Sequence, residues 1–185
     1  MATATRMTAE QYYEVSVEGD CKQLVDGQIV QYRRPLIRGL LQGRLGAALG
    51  NWVSGGENRG LALLPTDVHM DEHNVYGPDL LWFSEQRRPK DLDADLERIP
   101  DLCVELRAKG IWCHDIGAKM RVYEDGGLPE LWLVDHAAES VLVYRRSHPE
   151  SRAFDVSLEL LRGDTLTSPQ LPGFALPLDE LFERS

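Results

Sequence analysis

The spacing of apolar residues along the chain predicts three helices. Thr8, followed three positions later by Gln11, is a capping-box pattern, so a short first helix is expected to begin there. After Pro35, apolar residues recur at helical spacing as far as Trp52, which predicts the longest helix. An amphipathic segment at about 112–124 predicts the third.

Other apolar runs have the length and bounding turns of strands. Leu24-Val25 and Ile29-Val30 flank Asp26-Gly27, a pair that tolerates the positive φ of a two-residue hairpin turn. Further strands are predicted at 61–64, 68–70, 80–83, 102–106, 131–134, 140–144 and 154–161, with a polar hairpin tip at 71–74 and a turn-rich tail at 163–177. The mixture of elements predicts an α/β fold.

Composition narrows the class of protein. The 185 residues carry a formal charge of −10 and are 43% hydrophobic, which predicts one acidic domain at 8–185 behind a flexible leader at 1–7. No apolar run predicts a membrane span, and the three scattered cysteines Cys21, Cys103 and Cys113 do not form a disulfide framework. We therefore expect a cytoplasmic protein that does not associate with membranes. The net charge argues against electrostatic coating of nucleic acid.

The charge is unevenly distributed. No acidic residue lies between Gly27 and Gly56, whereas this stretch contains Arg33, Arg34, Arg38 and Arg44. Arg34 and Arg38 are spaced to share a helix face, and Arg44 is rotated away from them. Arg33, Arg34 and Arg38 are therefore candidate nucleic-acid-binding residues, with a merely solvated face as the alternative.

Two other groups of polar residues have weaker claims to chemistry. His69, Asp71, Glu72 and His73 could bind zinc, but an exposed hairpin tip explains the same polarity. Cys113 and His114 are adjacent, so they point in different directions on a helix and do not form a natural nucleophile and base pair. Cys103 lies within an apolar run and is expected in the core.

The strongest candidate site combines Asp79, Glu105, Arg107 and Lys119. Asp79 precedes one apolar strand and Glu105 interrupts another, and a buried acid is costly unless it is paired or binds a metal. Carboxylates and a strand carbonyl can hold Mg²⁺, and a nearby cation can stabilise a phosphoryl transition state. The alternative is an ion-pair network in which Asp115 pairs with Lys119 and Arg107 with Glu105.

The order of several motifs resembles the Uma-type restriction endonuclease family of the PD-(D/E)XK nuclease superfamily, from about Met7 to Phe182. The motifs are Pro78-Asp79-Leu80-Leu81-Trp82, Asp101-Leu102-Cys103-Val104-Glu105, Asp115-Ile116-Gly117-Ala118-Lys119 with Tyr123, Gly127-Leu128-Pro129-Glu130-Leu131-Trp132-Leu133-Val134-Asp135, Gly163-Asp164-Thr165-Leu166-Thr167-Ser168, Leu171-Pro172-Gly173-Phe174 and Leu178-Asp179-Glu180-Leu181-Phe182.

This resemblance implies a restriction-endonuclease-like fold, with a central mixed β-sheet flanked by helices and an additional antiparallel hairpin extension. It also implies Mg²⁺-dependent (or Mn²⁺-dependent) endonuclease action on nucleic acid, with DNA as the expected substrate and a homodimer as the expected assembly. Asp79 and Glu105 would bind the metal. Lys119 would orient water or stabilise the transition state, and Arg107 would stabilise charge.

The chain departs from the family pattern at several positions. Gln23 replaces a glutamate that usually precedes the Asp-Gly hairpin, and Arg38 replaces a histidine at the start of the long helix. Arg107 stands where a Glu-x-Lys motif has its lysine. A catalytically weakened homologue that serves as a binding or assembly module is therefore the alternative function. The nuclease hypothesis requires Asp79, Glu105 and Lys119 to converge on a point that no neighbouring guanidinium fills.

Overall fold

The computed structural model describes residues 6–17, 21–107 and 112–183, and only the backbone of 112–116. The helices are α1 (Ala9–Val15), α2 (Leu36–Ser54), α3 (Trp112–Asp125) and α4 (Leu178–Leu181). The strands are β1 (Lys22–Val25), β2 (Gln28–Gln31), β3 (Leu61–Leu63), β4 (Val68–Asp71), β5 (Asn74–Tyr76), β6 (Leu80–Phe83), β7 (Leu102–Leu106), β8 (Glu130–Asp135), β9 (Ser140–Arg145), β10 (Val156–Leu161), β11 (Thr165–Leu166) and β12 (Leu176–Pro177).

The central sheet is mixed and has the strand order β10-β9-β8-β7-β6-β3. β7 and β8 pair in parallel and are joined through α3, whereas the other pairs of this sheet are antiparallel. A second, antiparallel sheet has the order β2-β1-β5-β4. The predicted α/β class, with a mixed sheet flanked by helices and an antiparallel extension, is confirmed.

The strands β6, β7 and β8 of the central sheet are buried on both faces. Successive residues of a strand point to opposite sides, so Leu102 and Val104 pack with α2, whereas Cys103 packs with Tyr123 of α3. This two-sided burial explains why the strands are continuous apolar runs rather than alternating ones. It also places Glu105 on the same face as Cys103, towards α3.

The segment between β4 and β6 differs from the sequence prediction. The polar stretch 71–74 does form a hairpin tip, but the returning strand is β5, which pairs with β4 and β1 rather than with the central sheet. Gly77 and Pro78 then separate β5 from β6. Proline lacks a backbone N–H and interrupts a ladder, so the chain leaves one sheet and enters the other at this point.

The N-terminal segment meets the first hairpin. Of the predicted leader at 1–7, residues 1–5 lie outside the described residues. Met7 N donates to Gly27 O at 3.0 Å, and Arg6 forms an ion pair with Asp26. The predicted capping box at Thr8 and Gln11 is present. Among the described helices, none combines the length and apolar character needed to cross a bilayer.

Candidate functional site

Two acidic side chains meet where β6 and β7 pair. Asp79 directly precedes β6, and its N–H donates to Val104 O of β7 at 2.9 Å. Leu80 is the cross-strand partner of Val104, so the next step along this antiparallel ladder places Asp79 opposite Glu105. The Asp79 carboxyl group is buried, with 2% of the residue exposed. Sequence and register thus bring the two predicted carboxylates together.

Arg38 of α2 holds the Asp79 carboxylate. Its Nε and Nη2 donate to Oδ1 and Oδ2 at 2.8 and 2.7 Å, a bidentate pair that is almost fully buried. Arg38 Nη1 also donates to Leu106 O at 3.1 Å, and Leu106 N donates to Asp79 Oδ2 at 2.7 Å. A guanidinium therefore occupies the Asp79 side of the candidate site, so the condition expected from the sequence, that no neighbouring guanidinium fills the site, is not met at Asp79.

The predicted basic surface needs a correction as a result. The prediction that Arg38 shares an exposed helix face with Arg34 is wrong, because Arg38 is buried and Arg34 precedes the first residue of α2, Leu36. Arg33 and Arg34 are exposed. Arg44 lies apart from them, as predicted, and donates to Leu181 O at 3.0 Å. Of the three arginines predicted to bind nucleic acid, Arg33 and Arg34 are therefore the exposed ones.

Burial raises the pKa of Asp79 to about 6, because the desolvation of the carboxylate outweighs the opposing effect of Arg38. The negative charge of Glu105 raises this pKa further, whereas the hydrogen bond from Leu106 lowers it. The effect of Glu105 is consistent with two carboxylates in one site. Asp79 consequently changes protonation within an experimentally accessible range.

This pKa predicts an unusual pH dependence of stability. The folded protein retains a proton on Asp79 between the ordinary pKa of 3.8 and about 6, whereas the unfolded chain has lost it. Stability should therefore fall as the pH rises through this interval and level off above it. The measurement is the free energy of unfolding in urea for the unsubstituted protein minus that for Asp79→Asn, which cannot ionise. A difference that is constant across the interval contradicts the prediction.

Glu105 is held from α3. Tyr123 OH donates to Glu105 Oε1 at 2.7 Å, and Lys119 Nζ lies 3.3 Å from the same oxygen. The Lys119 ammonium also lies 5.1 Å from the centre of the Tyr76 ring, a cation–π distance. Lys119 thus contacts Glu105, which lies opposite Asp79 along the β6–β7 ladder. The alternative partner for Lys119, Asp115, is among the side chains outside the described part.

The sequence alone predicts no role for Tyr123, although its spacing from Lys119 is the signal that could have indicated one. Lys119 and Tyr123 are four residues apart on α3, so they share a helix face. Burial, together with the negative charge of Glu105, raises the pKa of Tyr123 well above its ordinary value. The phenol therefore stays protonated and acts as a donor that fixes the orientation of Glu105.

Arg107 is paired with a residue that sequence reasoning did not consider. Its guanidinium forms an ion pair with Asp135 at the end of β8, and its backbone N–H donates to Val134 O at 2.9 Å. Asp135 also accepts from Ala137 N at 2.8 Å, which ties it to the following turn. Asp135 is the last residue of the Leu-Trp-Leu-Val-Asp segment. Its position at the end of a predicted strand is the sequence feature that could have indicated a contact with the neighbouring strand.

Gln23 lies beside the Asp79 loop. Its Nε2 donates to Gly77 O at 3.0 Å and to Tyr32 OH at 3.4 Å, and the side chain is buried. The carboxylate of Asp67 also lies close to Gly77, since a Cβ atom added to this glycine would be 3.1 Å from Asp67 Oδ1. Burial raises the pKa of Asp67. Asp67 is a nearby acid that the sequence analysis missed.

The polar hairpin tip, the first of the weaker candidate sites, has a structural explanation. Asp71 accepts from His73 N at 2.8 Å and so shapes the hairpin tip, while His73 Nδ1 lies 2.9 Å from Met7 O. Cys103 is buried in the core, and the side chains of Cys113 and His114 lie outside the described part. Over the described residues, no cluster of three or more His, Cys, Asp or Glu side chains could hold a metal ion.

Comparisons with known proteins agree with this fold. A solved structure described as "a putative nuclease belonging to DUF820" from Anabaena variabilis superposes with a TM-score of 0.77. The match covers 95% of this chain and 97% of that one at 17% identity, which shows a shared fold. No curated protein matches the chain. The family model Uma2, described as "Putative restriction endonuclease", matches residues 9–179. Because that match spans most of the chain, the protein belongs to the Uma2 family.

Proposed function

We propose that the protein hydrolyses phosphodiester bonds of nucleic acid with a divalent cation, Mg²⁺ or Mn²⁺, bound at the PD-(D/E)XK-like site. The observation that carries this proposal is the meeting of Asp79 and Glu105 on paired strands with Lys119 from α3 beside them. Membership in a restriction endonuclease family supports the same class of reaction. Asp79, Glu105 and the carbonyl of Leu106 would hold the cation.

The chemistry of these groups suits a hard cation. Carboxylate and carbonyl oxygens are the ligands that Mg²⁺ prefers in proteins. Asp79 and Leu106 already direct three oxygen atoms at one cation, the Arg38 guanidinium. A bound Mg²⁺ would activate water and neutralise phosphate charge.

The protein's own side chains would position the reactants. Lys119 is a cation beside Glu105 and can hold the attacking water or stabilise charge on the phosphate. Tyr123 is a positioning residue, because its hydroxyl group contacts Glu105 rather than the place of the substrate. Arg107 is fixed by Asp135 and can add positive charge at the rim of the site.

The proposed substrate is DNA, approached through Arg33 and Arg34, whose exposed side chains can contact phosphates. Local positive charge of this kind focuses an anionic substrate onto an otherwise acidic protein. We further propose a homodimer, as expected for cleavage of both strands. A cytoplasmic setting accords with the free thiols of Cys21 and Cys103.

A second candidate function has a specific observation in its favour. Arg38 fills the Asp79 side of the site with a guanidinium, and Gln23 contributes no charge where the family usually has a glutamate. Both substitutions reduce the attraction of the site for a dication. A catalytically weakened family member that binds nucleic acid or assembles without cleaving is the corresponding alternative.

Nicking of supercoiled plasmid separates the two functions. We expect nicking with Mg²⁺ or Mn²⁺ and none with EDTA, and Lys119→Met should lower the rate by about 10²-fold or more. Lys90→Met, the same change at an exposed lysine, should nick at the rate of the unsubstituted protein. If the pure protein nicks with neither ion while still binding DNA, the second function is the correct one.

A further inference from the structure

Arg38 uses the oxygen atoms that the proposed cation would need. Its three donated hydrogen bonds go to both carboxylate oxygens of Asp79 and to the carbonyl of Leu106. Arg38 and the Leu106 N–H together use three of the about four lone-pair sites of the Asp79 carboxylate, so a metal ion that replaces the guanidinium needs the lone pairs that Arg38 now uses. Binding of a divalent cation through both Asp79 oxygens and the Leu106 carbonyl therefore requires Arg38 to leave Asp79.

The charge balance leads to the same conclusion. Asp79 and Glu105 carry two negative charges, which Arg38 and Lys119 offset. Gln23, the buried side chain alongside, is neutral. Adding a dication to a buried site of no net charge is strongly unfavourable. Removing Arg38 restores a net negative charge and makes binding favourable, so the guanidinium and the metal compete.

The surroundings of Arg38 indicate where its guanidinium can go. Arg38 lies in the first turn of α2, and its guanidinium carbon is 5.0 Å from the centre of the half-buried Tyr32 ring. The guanidinium of Arg34 lies over the same ring at 5.9 Å, and Arg33 and Arg34 are exposed. A phosphate at this surface offers a bidentate partner equivalent to the Asp79 carboxylate.

We propose that Arg38 is an exchangeable internal cation that transfers from Asp79 to a phosphate of the bound nucleic acid. This inference rests on the proposed function, and it adds that nucleic acid and divalent cation bind cooperatively. Without nucleic acid the guanidinium closes the metal position, and with nucleic acid the position opens. The exchange would restrict metal loading to the substrate complex.

Binding of Mn²⁺ tests the exchange without measuring cleavage. The protein is titrated with Mn²⁺, and the free ion is followed by electron paramagnetic resonance. The titration is done with and without a short DNA duplex whose phosphorothioate linkages resist cleavage. Mn²⁺ that binds to the duplex itself is measured in a titration of Asp79→Asn with the same duplex and is subtracted. We expect the duplex to tighten Mn²⁺ binding by the unsubstituted protein about tenfold or more. Arg38→His should bind Mn²⁺ tightly without duplex and show little coupling, and Arg38→Gln provides a second variant should His fail to fold.

Arg152→Gln is the matched control, because it removes one positive charge at an exposed arginine outside the proposed site. Its Mn²⁺ affinity in the absence of duplex should equal that of the unsubstituted protein. The exchange is refuted if folded Arg38→His or Arg38→Gln binds Mn²⁺ no more tightly than the unsubstituted protein. Coupling without any plasmid nicking would support the exchange and contradict the proposed hydrolysis, whereas nicking without coupling would overturn the exchange alone.

Discussion

Glu105→Gln is expected to lower the metal-dependent nicking rate by about 10³-fold while leaving the fold intact. Glutamine keeps the size of the side chain and an oxygen that can accept from Tyr123 OH, now 2.7 Å from Glu105 Oε1. What it removes is the negative charge that would bind a divalent cation and that pairs with Lys119. The variant therefore tests the charge of Glu105 rather than its packing.

The rate is measured on supercoiled plasmid with Mn²⁺, together with urea unfolding to show that the variant is folded. Glu85→Gln is the matched control, since it makes the same chemical change at an exposed position next to Arg88. The control should nick at the rate of the unsubstituted protein. If Glu105→Gln retains activity within about tenfold, Glu105 does not bind an essential cation and the assigned site is wrong.

Asp79→Ala is expected to lower the free energy of unfolding by about 3–5 kcal/mol. The substitution removes the carboxylate that pairs with Arg38 and leaves the guanidinium buried. Of the three hydrogen bonds described above for Arg38, only the one to Leu106 O would remain. It also leaves Leu106 N, which donates to Asp79 Oδ2 at 2.7 Å, without that acceptor. An unpaired buried charge and an unpaired buried donor both oppose folding.

Urea unfolding measures this loss. We expect the free energy of unfolding to fall with urea concentration at the same slope in Asp79→Ala and in the unsubstituted protein. Asp179→Ala is the control, because Asp179 also pairs with an arginine, Arg162, but at the surface. We expect that control to lose less than about 1 kcal/mol. The double variant Asp79→Ala with Arg38→Met should lose less free energy of unfolding than the two single variants lose together. If the two losses simply add, the pair is not coupled.

Activity measurements at Asp79 need this stability result. A protein that has lost several kcal/mol can lose nicking because less of it is folded, whatever Asp79 contributes to metal binding. Asp79→Asn retains the volume and one acceptor, so it separates the two effects better than alanine does. Comparing both variants at equal folded fraction isolates the contribution of the carboxylate charge.

Much of the architecture could be predicted from local patterns. Apolar runs located β6, β7 and β8, and helical spacing located α2 and α3, because both periods follow from burying one or two faces of an element. β5 was missed, since three residues between a hairpin tip and Gly77-Pro78 are too few to show a period. Its placement in the second sheet depends on pairing with β1.

The sequence predicts which residues belong to the candidate site, but it does not predict which side chains they contact. Asp79 and Glu105 stood out as acids beside apolar strands, and antiparallel pairing of β6 and β7 brings them together. Tyr123 shares a helix face with Lys119, but its hydrogen bond to Glu105 depends on how α3 packs on the sheet. Asp135 likewise meets Arg107 through the parallel pairing of β7 and β8.

The sequence by itself determined the fold class and the family and indicated the acids and the amine of the candidate site, because periodicity and ordered motifs are properties of the chain. Tertiary structure alone decided that Arg38 belongs to the site rather than to the exposed basic surface. Arg38 and Asp79 are 41 residues apart, and their bidentate contact exists only because α2 packs against the central sheet. Charge spacing along a chain cannot reveal which arginine is buried, since burial depends on the element that covers it.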